Sequence, residues 1–152
     1  MFSIRVAKSR LGFSAAHFLV SHEKCGRLHG HNYRVRVAVR GEPNADGMVI
    51  DFGALMKEAL KVCKEIDQKV ILAADSPDIR LVQSGGETRV RLPDREYVLP
   101  ASDVVVLPIR ASTAEEIAEY FCRRISENMK GVEWVEVEES PGSAARYLPG
   151  SS

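Results

Sequence analysis

The sequence has few cysteines, no excess of charge of either sign and no long apolar run. Lys and Arg together number 21, as do Asp and Glu, so the formal net charge is zero. General nucleic-acid or membrane-surface binding would need a basic excess, which this chain lacks. The apolar runs are too short to span a bilayer, and the N-terminal segment lacks the apolar core of a signal peptide. The three cysteines form no disulfide framework, so we expect a reducing, cytoplasmic setting.

A chain of 152 residues that is 45% hydrophobic predicts one domain, residues 1–152, with a modest core. Residues 75–108 are expected to form an inserted β-hairpin or short meander, because Gly85-Gly86 and Pro93-Asp94 are turn signals between β-like runs. The simplest role of this insertion is structural, as extra sheet or as area for subunit contact. Residues 148–152 are predicted to be a loosely ordered tail.

The richest part of the chain holds all four of its histidines within fifteen residues, and three of them, His17, His29 and His31, belong to the motif. His29 and His31 are separated by one residue, so both imidazoles project from the same face of an extended backbone. His17 ends a strand-like segment of its own and could supply a third nitrogen. Three neutral imidazoles with an open fourth position are typical of a catalytic zinc site. Cys25 is either a fourth ligand or a separate reactive thiol.

Alternating patterns predict the strands that would carry these histidines. In the irregular strand Met1–Phe18, His17 shares a face with Phe13 and Ala15. The clearest strand, Tyr33–Arg40, has three alternating valines, and His29 and His31 continue their parity if the strand extends back that far. In the strand Val132–Glu139, the same rule leaves Glu139 on the valine face. A carboxylate there is costly unless it is paired or binds a ligand.

Two amphipathic helices complete the prediction. The first covers about residues 52–66, with Asp51 as a plausible N-cap. The second follows Ser112 and Thr113, which begin two overlapping capping boxes. The predicted order is β-β-α-(β-hairpin)-α-β with antiparallel strands, in the α+β class.

At the histidine motifs the chain resembles a known family, the 6-pyruvoyl-tetrahydropterin and 6-carboxy-tetrahydropterin synthases. The resemblance is carried by the segments Phe13–His17, Cys25–His31 and Asn32-Tyr33, with Asp51–Gly53 at the entry to the first helix. Lys24–His31 is most similar to the carboxy-forming branch from bacteria and archaea. The resemblance implies the tunnelling fold (T-fold), in which subunits join their sheets into a barrel and commonly form homohexamers.

The resemblance also implies a role for each matching residue. His17, His29 and His31 would bind Zn²⁺, and Cys25 would be the catalytic acid/base. Glu139 would hold the pterin ring, and Thr113 and Ser112 match the segment that lines the pterin pocket. For Thr113 and Ser112, a role as helix caps is about equally expected, and the two roles can coexist. The implied substrate is 7,8-dihydroneopterin triphosphate. The carboxy-forming branch converts it to 6-carboxy-tetrahydropterin, a precursor of 7-deazapurines such as queuosine, and the other branch to 6-pyruvoyl-tetrahydropterin.

The sequence departs from this family at one position. Where the family usually has Asp-His, this chain has Asp67-Gln68, and the family's histidine works with the cysteine in proton transfer. Asp67 is retained as a catalytic candidate, but a glutamine cannot act as a general base. Either water or another group, such as His22, relays the proton, or the chain has a changed activity. The alternatives are an aldolase-like cleavage of dihydroneopterin and a non-catalytic, zinc-containing pterin-binding protein.

Overall fold

The computed structural model describes residues 1–150, so the last two residues of the predicted tail lie outside the described part. Its elements are β1 (Phe2–Val6), β2 (Gly12–His17), β3 (His29–Gly41), α1 (Phe52–Ile66), β4 (Lys69–Ala73), β5 (Arg80–Ser84), β6 (Glu87–Arg91), β7 (Glu96–Pro100), β8 (Val104–Leu107), α2 (Ala114–Ser126), β9 (Val132–Ser140) and β10 (Ser143–Tyr147). None of the described helices has the length and apolar character needed to cross a membrane.

The main sheet has seven strands in the order β10-β9-β3-β2-β4-β8, and β1 also pairs with β3. Both β1 and β2 run antiparallel to β3, along different halves of it, as expected for one long irregular N-terminal strand. The expectation of a purely antiparallel sheet is wrong at two pairings, since β4 runs parallel to both β2 and β8. Strands β4 and β8 were hard to predict from the sequence, because these short apolar runs do not alternate with polar residues.

The two helices pack their apolar faces against the valine face of this sheet. Phe13 of β2 stacks on Phe121 of α2, with ring centroids 5.6 Å apart. The N-caps begin the helices where the sequence predicts: Asp51 accepts a hydrogen bond from the Ala54 N–H, and Thr113 accepts one from the Glu116 N–H. The core therefore lies between the helices and the sheet face that carries the histidines.

The predicted insertion is larger than a hairpin. Strands β5, β6 and β7 form a separate three-stranded antiparallel sheet. A second apolar cluster joins this sheet to the domain, with Phe18, Leu72, Val90 and Val104 buried at its centre. The meander predicted from the turn signals is thus confirmed, and its inner face packs on β4, on β8 and on Phe18, the residue that follows β2.

Candidate metal and pterin site

Three imidazoles converge at one end of the β2–β3 pair. His17 lies opposite His29 in the antiparallel register, and His31 follows two residues later on the same face. Their ring centroids are 4.7 Å (His17–His29), 5.1 Å (His17–His31) and 4.9 Å (His29–His31) apart. One nitrogen from each ring lies within 4.8 Å of the others, so the group could hold a metal ion.

Backbone carbonyls orient two of these rings. The Nδ1 atom of His17 lies 2.7 Å from the Ser112 carbonyl oxygen, and that of His29 lies 2.7 Å from the Arg27 carbonyl oxygen. Each Nδ1 must carry the proton to donate to a carbonyl, which leaves the Nε2 lone pair free for a metal.

The unsatisfied atoms show where a cation would bind. The Nε2 atoms of His17 and His31 are buried and have no hydrogen-bond partner among the described residues. Buried polar atoms without partners are costly, and a metal ion would satisfy both of them at once. Burial is also the main reason why the pKa of His17 is lowered from its usual value, with the Ser112 contact opposing it. Because a metal ligand must be neutral, this lowered pKa favours ligation. The donor set therefore fits a three-histidine metal centre.

Cys25 lies in the loop between β2 and β3 and is separate from this donor group. The cluster formed by the described residues contains the three histidines and not the Cys25 thiol, so the structure does not place Cys25 as a fourth ligand. The loop is folded back on itself. The Leu19 N–H donates to the Cys25 carbonyl at 2.8 Å, and the Cys25 N–H donates to His22 Nδ1 at 3.0 Å. The Cys25 side chain is half-buried and unpaired.

Glu139 joins the histidines to a cleft. Its Oε1 atom lies 3.4 Å from His31 Nε2, and the neighbouring valines Val135 and Val137 are fully buried, so the predicted parity of β9 is confirmed. Glu139 and Thr113 line the same cleft of about 440 Å³, together with Leu19, Gly142 and the start of β10. Ring-sized ligands fit clefts of this size.

Ser112 lies behind the site rather than in this cleft. Its hydroxyl donates to the Phe18 carbonyl at 3.1 Å, and its own carbonyl accepts from His17. Both of its polar groups are thus used inside the protein, so Ser112 holds a histidine in place. Sequence reasoning missed this role, because a backbone contact across 95 residues leaves no local pattern.

Asp67 and Gln68 clip the start of β4 to β2. The Asp67 carboxylate accepts from the Ser14 N–H at 2.8 Å, and the Gln68 N–H donates to the Ser14 carbonyl at 2.7 Å. Both residues line a cleft with Asn32 and Arg34 that does not include Cys25. Gln68 has a φ of 62°, in the left-handed region, where it turns the chain from α1 into β4. One carboxylate oxygen of Asp67 is therefore engaged in holding strands together.

One further buried polar group escaped sequence analysis. The Tyr33 hydroxyl is buried without a partner, and the Tyr33 ring lies 5.6 Å from that of His31. Burial, together with the negative charge of Glu139, raises the pKa of Tyr33. The only sequence signal was its parity with the histidines, which predicts burial but does not predict an unsatisfied hydroxyl.

Comparison with known proteins agrees with this geometry. The family model for 6-pyruvoyl tetrahydropterin synthase matches residues 6–149. A Methanocaldococcus jannaschii protein, named provisionally as a 6-carboxy-5,6,7,8-tetrahydropterin synthase, is 34% identical over 145 residues, 90% of this chain and 89% of its own. The 6-carboxy-5,6,7,8-tetrahydropterin synthase of Haemophilus influenzae is 32% identical over 143 residues, 89% of this chain and 92% of its own. The structure of Plasmodium falciparum 6-pyruvoyl tetrahydropterin synthase superposes with a TM-score of 0.88 at 32% identity and covers 96% of each chain.

These similarities define a domain of the T-fold class. The chain belongs to the 6-pyruvoyl tetrahydropterin synthase family, whose relatives here include proteins named as 6-carboxy and as 6-pyruvoyl synthases.

Proposed function

We propose that this protein is a zinc-dependent lyase that converts 7,8-dihydroneopterin triphosphate to 6-carboxy-5,6,7,8-tetrahydropterin, with release of triphosphate and acetaldehyde. The observation that carries the proposal is the 3.4 Å contact between His31 and Glu139, which links a three-histidine donor set to a carboxylate in the wall of a cleft. The names of the curated relatives support the carboxy product over 6-pyruvoyl-tetrahydropterin.

The three histidines would hold the zinc. When bound, Zn²⁺ would acidify the O–H and C–H bonds of a substrate side chain placed against it. The protein contributes the orientation of the rings through the Ser112 and Arg27 carbonyls, so that the ligating nitrogens already face one another. Such outer contacts strengthen metal binding by fixing tautomer and direction.

Glu139 would hold the pterin ring. A carboxylate can accept two parallel hydrogen bonds from the 2-amino group and the neighbouring ring N–H. Thr113 lies in the same cleft, and its hydroxyl already caps α2, so it would contribute mainly to the shape of the wall. Ser112 is proposed to act through His17 and not by touching the pterin.

Cys25 would be the base that moves protons on the substrate side chain. Its thiol is half-buried in the polar loop that also carries Lys24 and Arg27. Asp67 would contribute by fixing the position of Gln68 and of β2. With a glutamine in place of the family's histidine, we propose that water or His22 completes the proton relay. The Cys25 N–H bond to His22 Nδ1 favours His22, because it keeps that imidazole beside the base.

A second candidate is a pterin-binding protein that keeps the metal but lacks turnover. Gln68 is the observation that favours it, because an amide does not gain or lose a proton as a general acid or base near neutral pH.

We also propose that the protein works in a reducing cytoplasm as a homohexamer. The three cysteines are unpaired within residues 1–150, and β10 is a free sheet edge that could pair with another subunit.

Mass spectrometry of the product distinguishes these functions. We expect the zinc-loaded protein to form 6-carboxy-tetrahydropterin from dihydroneopterin triphosphate. Cys25→Ala should lower the rate by about a hundred- to ten-thousand-fold while zinc and pterin stay bound, because this is what a general acid/base contributes. A bound but unchanged pterin would favour the binding protein, and 6-pyruvoyl-tetrahydropterin would identify the other branch.

A further inference from the structure

The inserted sheet touches both ends of the loop that carries Cys25. At the start of the loop, Tyr97 of β7 stacks on Phe18, with ring centroids 5.5 Å apart and planes inclined by 28°. Phe18 is only 4% exposed and lies in the apolar cluster that joins the inserted sheet to the domain. The loop therefore leaves β2 from a base that the insertion covers.

At the far side of the loop, Arg95 makes a directed contact. Its Nη1 atom donates to the Gly26 carbonyl at 3.0 Å. Another edge of the guanidinium is held by Asp94, which accepts from Nε at 3.1 Å and from Nη2 at 3.0 Å. Two parallel bonds to one carboxylate fix the plane of a guanidinium, so the remaining donor has a set direction.

The folded loop transmits this contact to Cys25. Gly26 is buried, and a Cβ built on it would meet the His22 carbonyl oxygen at 2.5 Å, so the chain is closely packed at this point. Two hydrogen bonds hold the preceding residue, Cys25, in the folded loop. The Leu19 N–H donates to the Cys25 carbonyl, and the Cys25 N–H donates to His22. A loop this tightly closed cannot move at Gly26 without moving Cys25.

We propose that Arg95 positions Cys25 for catalysis, and that the inserted sheet serves to brace the catalytic loop. The inference rests on the proposed role of Cys25 and assigns the insertion a function beyond added surface. Arg95 acts through the Gly26 carbonyl and contacts neither the histidines nor Glu139 through a hydrogen bond.

The alkylation rate of Cys25 by iodoacetamide, followed peptide by peptide, tests the brace without any turnover. In Arg95→Ala we expect Cys25 to react about tenfold faster, since losing a hydrogen bond from a charged donor shifts a local opening equilibrium by about that factor. Arg95→Lys should restore the wild-type rate only in part, because a lysine lacks the planar fork that Asp94 holds. The matched control is Arg91→Ala, which removes a 2.9 Å contact to Glu96 on the same sheet, away from the loop, and should leave the rate unchanged.

The buried thiols of Cys63 and Cys122 report on the fold in the same experiment and should stay protected in every variant. If Arg95→Ala also exposes them, Asp94→Asn decides the question, because it keeps Arg95 and removes only its fixed direction. Equal Cys25 alkylation rates in Arg95→Ala and Arg91→Ala would overturn the proposal. Where Asp94→Asn decides, a Cys25 alkylation rate equal to that of the wild type would overturn it.

Turnover gives the second readout. Arg95→Ala should lower kcat about tenfold and leave KM, zinc content and pterin binding near wild type, whereas general loosening would change all four. A wild type without turnover would refute the proposed lyase activity, and the alkylation rates would still decide whether Arg95 braces the loop.

Discussion

His17 Nδ1 lies 2.7 Å from the carbonyl oxygen of Ser112, so the first residue of the candidate metal site is oriented by the segment that leads into α2. This contact joins β2 to the start of α2 across 95 residues. A ring held from behind presents its Nε2 to the other two histidines without needing an ion to arrange it. The site should therefore be largely preformed in the metal-free protein.

The metal content of histidine variants tests the donor set. We expect about one zinc per chain in the wild type, and a loss of at least about tenfold in affinity when His17, His29 or His31 is changed to alanine, because three ligands leave no spare protein donor. The matched control is His22→Ala, which removes the fourth histidine but no ligand and should keep full zinc. Metal analysis showing full occupancy in all the ligand variants would refute the site.

The stability of the chelator-treated protein should fall as the pH drops below about 6.5, the ordinary pKa of histidine. Since burial lowers the pKa of His17 in the folded state, the unfolded chain binds a proton that the folded one does not over this range. Folding stability therefore rises with pH across the window and is lost as pH falls. Thermal melts of His17→Gln should show a flatter pH dependence than those of the wild type. Parallel curves for the two proteins would show that His17 does not carry the effect.

Glu139→Ala should weaken the binding of a pterin analogue by about ten- to a hundredfold and leave zinc content near normal. A hydrogen-bonding carboxylate contributes free energy of this size. Glu138→Ala is the matched control, because its carboxylate pairs with Arg36 on the other face of β9. Titration of both variants with the analogue measures the difference. Equal affinities would move the pterin anchor elsewhere.

Gln68→His tests whether the family's missing histidine limits the rate. The position has a φ of 62°, and histidine is among the residues that tolerate this conformation, so the variant should fold. If the glutamine slows proton transfer, kcat of Gln68→His should rise by about tenfold to a hundredfold. If His22 carries the proton instead, Gln68→His should change little and His22→Ala should lower kcat. Steady-state kinetics of the two variants separate these routes.

Tyr33→Phe should stabilise the metal-free protein by about 1 kcal/mol, since it deletes a buried hydroxyl that has no partner. The ring remains to stack on Phe13, where the centroids are 4.6 Å apart, so packing is kept. Denaturant unfolding of the chelated proteins gives the comparison. A loss of stability would mean that the hydroxyl is satisfied in solution.

Local patterns predicted the direction of a side chain well wherever it follows the pleat of its own strand. The parity of β2, β3 and β9 placed His17, His29, His31 and Glu139 on one inner face, and the register of the strands brought them together. The pairing of β4 was not predictable, because its apolar run carries no alternation that would identify its neighbours.

Contacts of side chains with backbone carbonyls are the other feature that could not be predicted from the sequence. The carbonyls of Ser112, Arg27 and Gly26 orient two histidines and one loop, and any residue type has such a carbonyl. Only the fold shows which of them lies near the site. The clip formed by Asp67 and Gln68 on Ser14 is another example, since the sequence identified Asp67 only as a catalytic candidate.

Release of triphosphate from 7,8-dihydroneopterin triphosphate, measured before chelation, after chelation and after zinc is restored, tests the zinc-dependent lyase most directly. We expect steady release by the zinc-loaded protein, loss of release on chelation and recovery with about one equivalent of Zn²⁺ per chain. Release that persists in the chelated protein, or no release at any zinc level, would contradict this expectation.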